Sequence, residues 1–396
     1  MKKTEFVVLT ALLMSLVALA IDMILPALPM LAAEFSLHDS NDAQYVISSV
    51  FVGMIAGKLL FGPLSDAWGR KPAIYLGLFL YIGGAIICYF AKEFSIFLLG
   101  RAIQGVGVAA PRVVSVALVR DQFEGREMAR IMSFIMMVFI LVPAIAPALG
   151  QGILRFFEWR MILGVFILTG VASLIWFGLR QPETLAPGNR RPLAFSTVIA
   201  AAREVVSHPS SLGYSFAIGF VFAGFIGYLV SSQQIYDLIY DRGAQFPYYF
   251  GILALVIGSA SIVNARFVVK YGMRKLSVWA LLGVIFVSSV AIAAELLYPE
   301  PLSFGLFIAF CLVAFFCIGI LFGNLNALAM EPLGHIAGIG SAVVGAGSTI
   351  ISVLLGTLIG QAIGSHLLPL LLGFLLMSLL ALGAFAWVDK KLEAQR

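Results

Sequence analysis

The sequence predicts an all-α polytopic membrane protein with twelve transmembrane helices in two six-helix bundles. Three observations lead there. Of 396 residues, 61% are hydrophobic and 11% are charged, against about a quarter charged in soluble domains. The apolar residues fall into runs long enough to cross about 30 Å of hydrocarbon as helices. One polar stretch at 181–210, holding Pro182, Pro187, Pro192 and Pro209, divides those runs six and six.

Taken in order, the runs place spans at 6–33, 44–64, 72–91, 94–119, 129–153, 159–180, 211–234, 246–266, 276–297, 303–328, 337–364 and 367–388. Lys2 and Lys3 before the first run would suit a cleaved leader. Its length, with Asp22, Pro26 and Pro29 inside it, favours a retained span. The expected organisation is therefore an N-terminal bundle at 1–180, a cytoplasmic linker at 181–210 and a C-terminal bundle at 211–396. Residues 193–206 of the linker are expected to form a short helix on the membrane surface.

The net charge of +5 is explained by topology rather than by nucleic acid. With the N-terminus inside, eighteen Lys and Arg fall in predicted cytoplasmic segments and four in outer loops. That bias puts both termini on the cytoplasmic side, and a multi-pass protein of a bacterial-type inner membrane is expected. The remaining three, Lys58, Arg101 and Arg112, lie inside predicted spans. Cys88, Cys311 and Cys317 sit in apolar runs without metal-like spacing and read as packing residues. No metal site and no cofactor is expected, and no phosphate loop is present, which argues against direct ATP use.

The stretch from Gly62 to Pro72 reads as a charged turn between two apolar runs, with Gly62 and Gly69 permitting a tight path. Asp66, Arg70 and Lys71 put three charges beside hydrocarbon, so pairing is expected. A related stretch, Arg266 to Lys275, follows the eighth span without the aspartate.

Asp22 is the only acid deep inside a predicted span. It reads as a proton carrier or as a structural partner for a nearby arginine. Pro26 and Pro29 should bend or loosen this helix beside it. Lys58 either snorkels to the inner surface or lines a cavity. Gly53 and Gly57 suit close packing against another helix. In the fourth span, Arg101, Gln104, Val108 and Arg112 share one helical stripe, which argues for a wet inward face. The fifth span carries Pro143, Pro147 and Gly150, a bent helix with a bare face. Met136 and Phe139 on that span, with Phe220 and Tyr228 on the seventh, are candidates to touch an apolar ligand. Asn324 on the tenth could line the cavity or hydrogen-bond between helices.

The stretch at 62–72 resembles the loop between helices two and three of the major facilitator superfamily, G-x-L-x-D-x-x-G-R-K. Arg101-Ala102-Ile103-Gln104-Gly105-Val106-Gly107 resembles its fourth-helix pattern. With Asp22 to Pro29, Val119-Arg120-Asp121 and the Pro143/Pro147 pattern, the chain is similar to the bicyclomycin/chloramphenicol-resistance family of drug:proton antiporters. Two departures stand out. The fifth-helix signature is a variant, and Lys58 stands where relatives commonly carry an amide.

The resemblance implies a facilitator fold with a substrate site near the midplane between the halves. It implies proton-coupled export of small, mostly apolar drugs or toxic compounds, with Arg101 supporting Asp22. It also implies a conformational latch of Gly62, Asp66, Gly69, Arg70, Lys71 and Asp121. In related transporters the aspartate of that loop meets the start of the eleventh helix, and its arginine meets the acid ending the fourth. The expected partners are a drug-like small molecule, protons and the lipid bilayer, with no nucleic acid, and the chain is expected to act as a monomer. A metabolite exporter or proton symporter of the same fold is the alternative. An enzyme would need a nucleophile and base or a metal set. A receptor would normally carry a larger soluble domain than a linker of about 30 residues.

Overall fold

The structure is a computed structural model that describes residues 2–186, 188, 190, 195–297 and 302–394. Parts of the 181–210 linker, and Arg191 and Arg396 of the cytoplasmic charge pattern, lie outside the described residues. The chain divides into two compact units, Met1–Ile199 and Ala200–Arg396. The boundary falls within a short helix, Phe195–Ser207.

The first unit begins with α1 (Lys3–Asp22), a 3₁₀ turn at Leu25–Ala27 and α2 (Leu28–Glu34). The break follows from Pro26. A proline lacks the N–H that the carbonyl four residues earlier would receive, and its ring clashes with that carbonyl. Four residues before Pro26 is Asp22 itself, where α1 stops. Then come α3 (Tyr45–Trp68), α4 (Arg70–Phe90), α5 (Phe94–Gln122), α6 (Gly125–Leu154) and α7 (Arg160–Arg180). After the short helix α8 (Phe195–Ser207), the second unit holds α9 (Pro209–Gln234), α10 (Phe246–Tyr271), α11 (Met273–Leu297), α12 (Phe304–Met330), α13 (Ala337–Gln361) and α14 (Leu368–Glu393).

Eleven helical stretches among the described residues are long and apolar enough to cross a membrane. One of them, Phe304–Gln361, is two helices. A 3₁₀ turn at Glu331–Ile336 joins α12 to α13, and Leu333 leaves the helical region at φ −102° and ψ 18°. Counting α12 and α13 separately gives twelve.

The predicted turn at 62–72 is corrected. Nothing before Gly69 ends α3, which runs through Pro63 to Trp68. Only Gly69, at φ +114°, separates α3 from α4. Gly62 lies inside the helix, and a side chain there would meet nothing within 4 Å.

Packing in the first unit centres on α5, which touches α3 and α4 along most of their lengths. A methyl on Gly53 would strike the Ala102 carbonyl, and one on Gly105 the Val50 carbonyl. Lipid tails are as apolar as leucine, so such backbone approach, rather than hydrophobic burial, holds spans together. At one end of this unit, both Glu5 oxygens accept from Arg180, from Nε at 2.6 Å and from Nη2 at 2.9 Å, joining α1 to α7. In the second unit the hydroxyls of Ser348 and Ser352 on α13 donate to the Ser215 and Gly219 carbonyls of α9, each at 3.0 Å. The three cysteines are buried.

Candidate functional site

Asp22 sits at the C-terminal end of α1, 5% exposed. Among the described residues its carboxyl makes no ion pair and no hydrogen bond. The segment just after it packs on α6. A side chain on Gly150 would fall on the Met23 carbonyl oxygen. Pro143 and Pro147 lie within a helix that continues past them. The bare patch of α6 thus meets the break beside Asp22.

Arg101 on α5 is fully buried. Its Nε donates to the Val46 carbonyl of α3 at 3.2 Å, and Nη2 to the Ala20 carbonyl of α1 at 2.6 Å. Nη1 donates to Gln104 Oε1, and the guanidinium lies 5.9 Å from the Phe166 ring of α7. One side chain therefore ties α5 to three other helices. It reaches the chain two residues before Asp22 yet forms no ion pair with that carboxyl. Carbonyl oxygens and an amide meet the requirement that a buried guanidinium be hydrogen-bonded.

A second constellation sits where α3 meets α4. Arg70, 3% exposed, donates through Nη1 to Asp66 and to Ser65 Oγ (3.1 Å), and through Nε to Asp121 Oδ2 at 2.8 Å. Lys71 Nζ donates to the Gly178 carbonyl at 2.9 Å. The first free N–H groups of α4 lack a local cap, because Gly69 offers no side chain. Glu183 supplies it. Its Oε1 accepts from the Arg70 N–H at 3.0 Å and its Oε2 from the Lys71 N–H at 2.9 Å. Any side chain at position 69 would collide with that carboxylate, so glycine is required there by space as well as by φ. Burial opposes the charge on Glu183. The backbone N–H groups of Leu185, Lys71, Arg70 and Thr184 outweigh it and hold the carboxyl below its ordinary pKa. Thr184 Oγ1 closes the ring by donating to Asp121 at 3.0 Å.

Comparison with known proteins places this geometry. The family model described as Major Facilitator Superfamily matches residues 10–356. The chain belongs to the Major Facilitator Superfamily. It is 30% identical over 365 residues to a bicyclomycin resistance protein homolog of Haemophilus influenzae, covering 90% of this chain and 89% of that one. It is 26% identical over 376 residues to the multidrug resistance protein MdtL of Salmonella typhi, covering 92% and 91%. The crystal structure of a D-xylose-proton symporter superposes with a TM-score of 0.74 at 14% identity, covering 96% of this chain and 97% of that one. At that identity the superposition speaks for the facilitator fold alone.

Within this facilitator the remaining candidates separate. Lys58 on α3 and Arg112 on α5 are both half-buried. Arg112 lies on the Phe139 ring of α6, 4.8 Å from its centroid. Met136 is half-buried one turn away. Phe220 stacks on Phe216 at 6.0 Å. Tyr228 and Asn324 are both engaged by neighbouring side chains. Tyr228 is 0% exposed, packed edge-on against Phe315 at 4.8 Å with its hydroxyl 3.5 Å from that of Tyr236. Asn324 exchanges two hydrogen bonds with Asn264 of α10, at 2.8 and 2.9 Å. Glu183 is the residue sequence reasoning missed. The available signal was a carboxylate just after the sixth span, on the side where a helix N-terminus favours an anion.

Proposed function

We propose that this facilitator is a proton-coupled secondary active exporter of small, mostly apolar drugs or toxic compounds, working by alternating access as a monomer. Its residues 1–180 and 211–396 act as the two halves, joined by the 181–210 linker, with both termini in the cytoplasm of a bacterial inner membrane. The observation that carries this reading is Asp22, a buried carboxyl at a helix break without an ion pair or hydrogen bond among the described residues. An ionised carboxylate in such surroundings is far costlier to bury than a protonated one. Proton occupancy can then follow which side of the membrane the carboxyl faces, with substrate competing for the same state. Arg101, anchored through Ala20 beside it, holds the break in place. The resistance-protein relatives support export of drug-like compounds.

The test is flux in proteoliposomes under an imposed pH gradient, with a panel of antibiotics and dyes. Gradient-driven export should be abolished in Asp22→Asn while binding persists. Full pH-driven transport by Asp22→Asn would remove the basis of the proposal.

A further inference from the structure

We propose that Lys58 and Arg112 form a receptor for the acidic group of a transported organic anion, with Phe139 as a wall for its apolar body. The inference deepens the export reading above and rests on it. The two cations stand on helices whose backbones touch through Gly53 and Gly105. Each lies ten residues before the C-terminal end of its helix, Trp68 for α3 and Gln122 for α5. At 1.5 Å per residue that is about 15 Å of helix, nearly three turns, before the end. Lysine and arginine reach the membrane surface from positions near helix ends, and neither residue is near one.

Two like charges at one depth on touching helices repel, more strongly as the surroundings become less polar. Intramembrane cations almost always pair with an acid or with carbonyl oxygens. Arg112 does neither: among the described residues it has no ion pair and no hydrogen bond, only the Phe139 ring. The acids at the ends of the same two helices, Asp66 and Asp121, both hold Arg70. Among the described residues Asp22 makes no ion pair. A carboxylate or sulfonate would supply what is missing. Its two oxygens match the fork of a guanidinium, and its charge offsets both cations. The flat Phe139 ring, already aligned with Arg112, suits an aromatic body attached to that group.

The experiment uses the full purified chain and three probes with one ring system: 2-naphthoate, 2-naphthamide and 2-naphthylmethylammonium. Dissociation constants are measured by calorimetry at fixed ionic strength without a gradient. Naphthoate should bind at least tenfold tighter than the amide, and the ammonium weakest. R112Q and K58Q should each bring naphthoate down to the level of the amide, while R112K keeps most of the preference. Should R112Q fail to fold, K58Q and the charge-retaining K58R carry the same comparison. Equal affinity for the three probes would overturn the proposal, as would a preference that survives both R112Q and K58Q. Binding of chloride or phosphate without a naphthoate preference would also overturn it. No flux is read, so loss of pH-driven export would count against the export reading alone. Absent naphthoate preference with drug export intact would count against this proposal alone.

Discussion

Glu183→Gln tests the cap on α4 directly. The substitution keeps the shape and one acceptor oxygen but removes the charge facing the Arg70 and Lys71 N–H groups. A carboxylate at a helix N-terminus contributes about 0.3–1 kcal/mol when exposed and up to ~2 when partly buried. Losing a capping side chain altogether costs about 1 kcal/mol. Glu183 is partly exposed, so solvent screening pulls the charge contribution toward the lower values. The expected loss is about 1 kcal/mol for Gln and about 2 for Ala. Hydrogen exchange in detergent reads this locally. Protection of the amides at 70 and 71 should fall about fivefold in Glu183→Gln and about thirtyfold in Glu183→Ala, at 1.4 kcal/mol per factor of ten. The pH dependence follows from the depressed pKa of this carboxyl. Its stabilisation is fully present above the ordinary glutamate value of about 4.3. It is lost as pH falls through the lower, folded value. Wild type and Glu183→Gln should therefore converge in acid and differ at neutral pH. Unchanged exchange at 70 and 71, or an equal difference at every pH, would refute the cap.

Gly150→Ala should displace α6 from the break beside Asp22, because the added methyl falls on the Met23 carbonyl. A loss of about 1–3 kcal/mol is expected, read as a lower thermal midpoint. Asn324→Leu leaves the partly buried Asn264 amide without its partner and should cost about 1–3 kcal/mol. The double change with Asn264→Leu should recover most of that cost, measured as a double-mutant cycle in detergent. Arg101→Ala strips hydrogen bonds from the Ala20 and Val46 carbonyls and should lower the thermal midpoint by several degrees. Arg112→Ala, which among the described residues removes a ring contact and no hydrogen bond, should lower it far less.

The spans were legible because runs of about 20 apolar residues have few other outcomes in water or lipid. The break after Asp22 was legible because the proline rule acts through one carbonyl four residues away. Helix ends were less so. α3 continues through polar Ser65 and Asp66, since neither residue type stops a helix whose charges find partners. The pairing of Arg70 with Asp121 was implied by resemblance, not by spacing. Its link to Glu183 was invisible because the partners are backbone N–H groups, which carry no letter in the sequence. The packing of Tyr228 was hidden for a related reason. The residue belongs to a helix apolar on every side and 78% buried over its spanning window, so periodicity gave no inward direction. The π-helical turn at Ile235–Ile239 that follows left no pattern in composition either.

The buried cysteines have a practical consequence. Cys88 and Cys311 are 0% exposed and Cys317 is 8% exposed, so a thiol-reactive dye meets none of them readily until the surrounding helices loosen. Cys88 belongs to the first unit, and Cys311 and Cys317 to the second. The chain thus carries a native thiol reporter of melting in each half. With Cys311 and Cys317 replaced by serine, dye uptake follows the first half; with Cys88 replaced, it follows the second. Comparing the two curves shows whether the halves come apart in one cooperative step or in two.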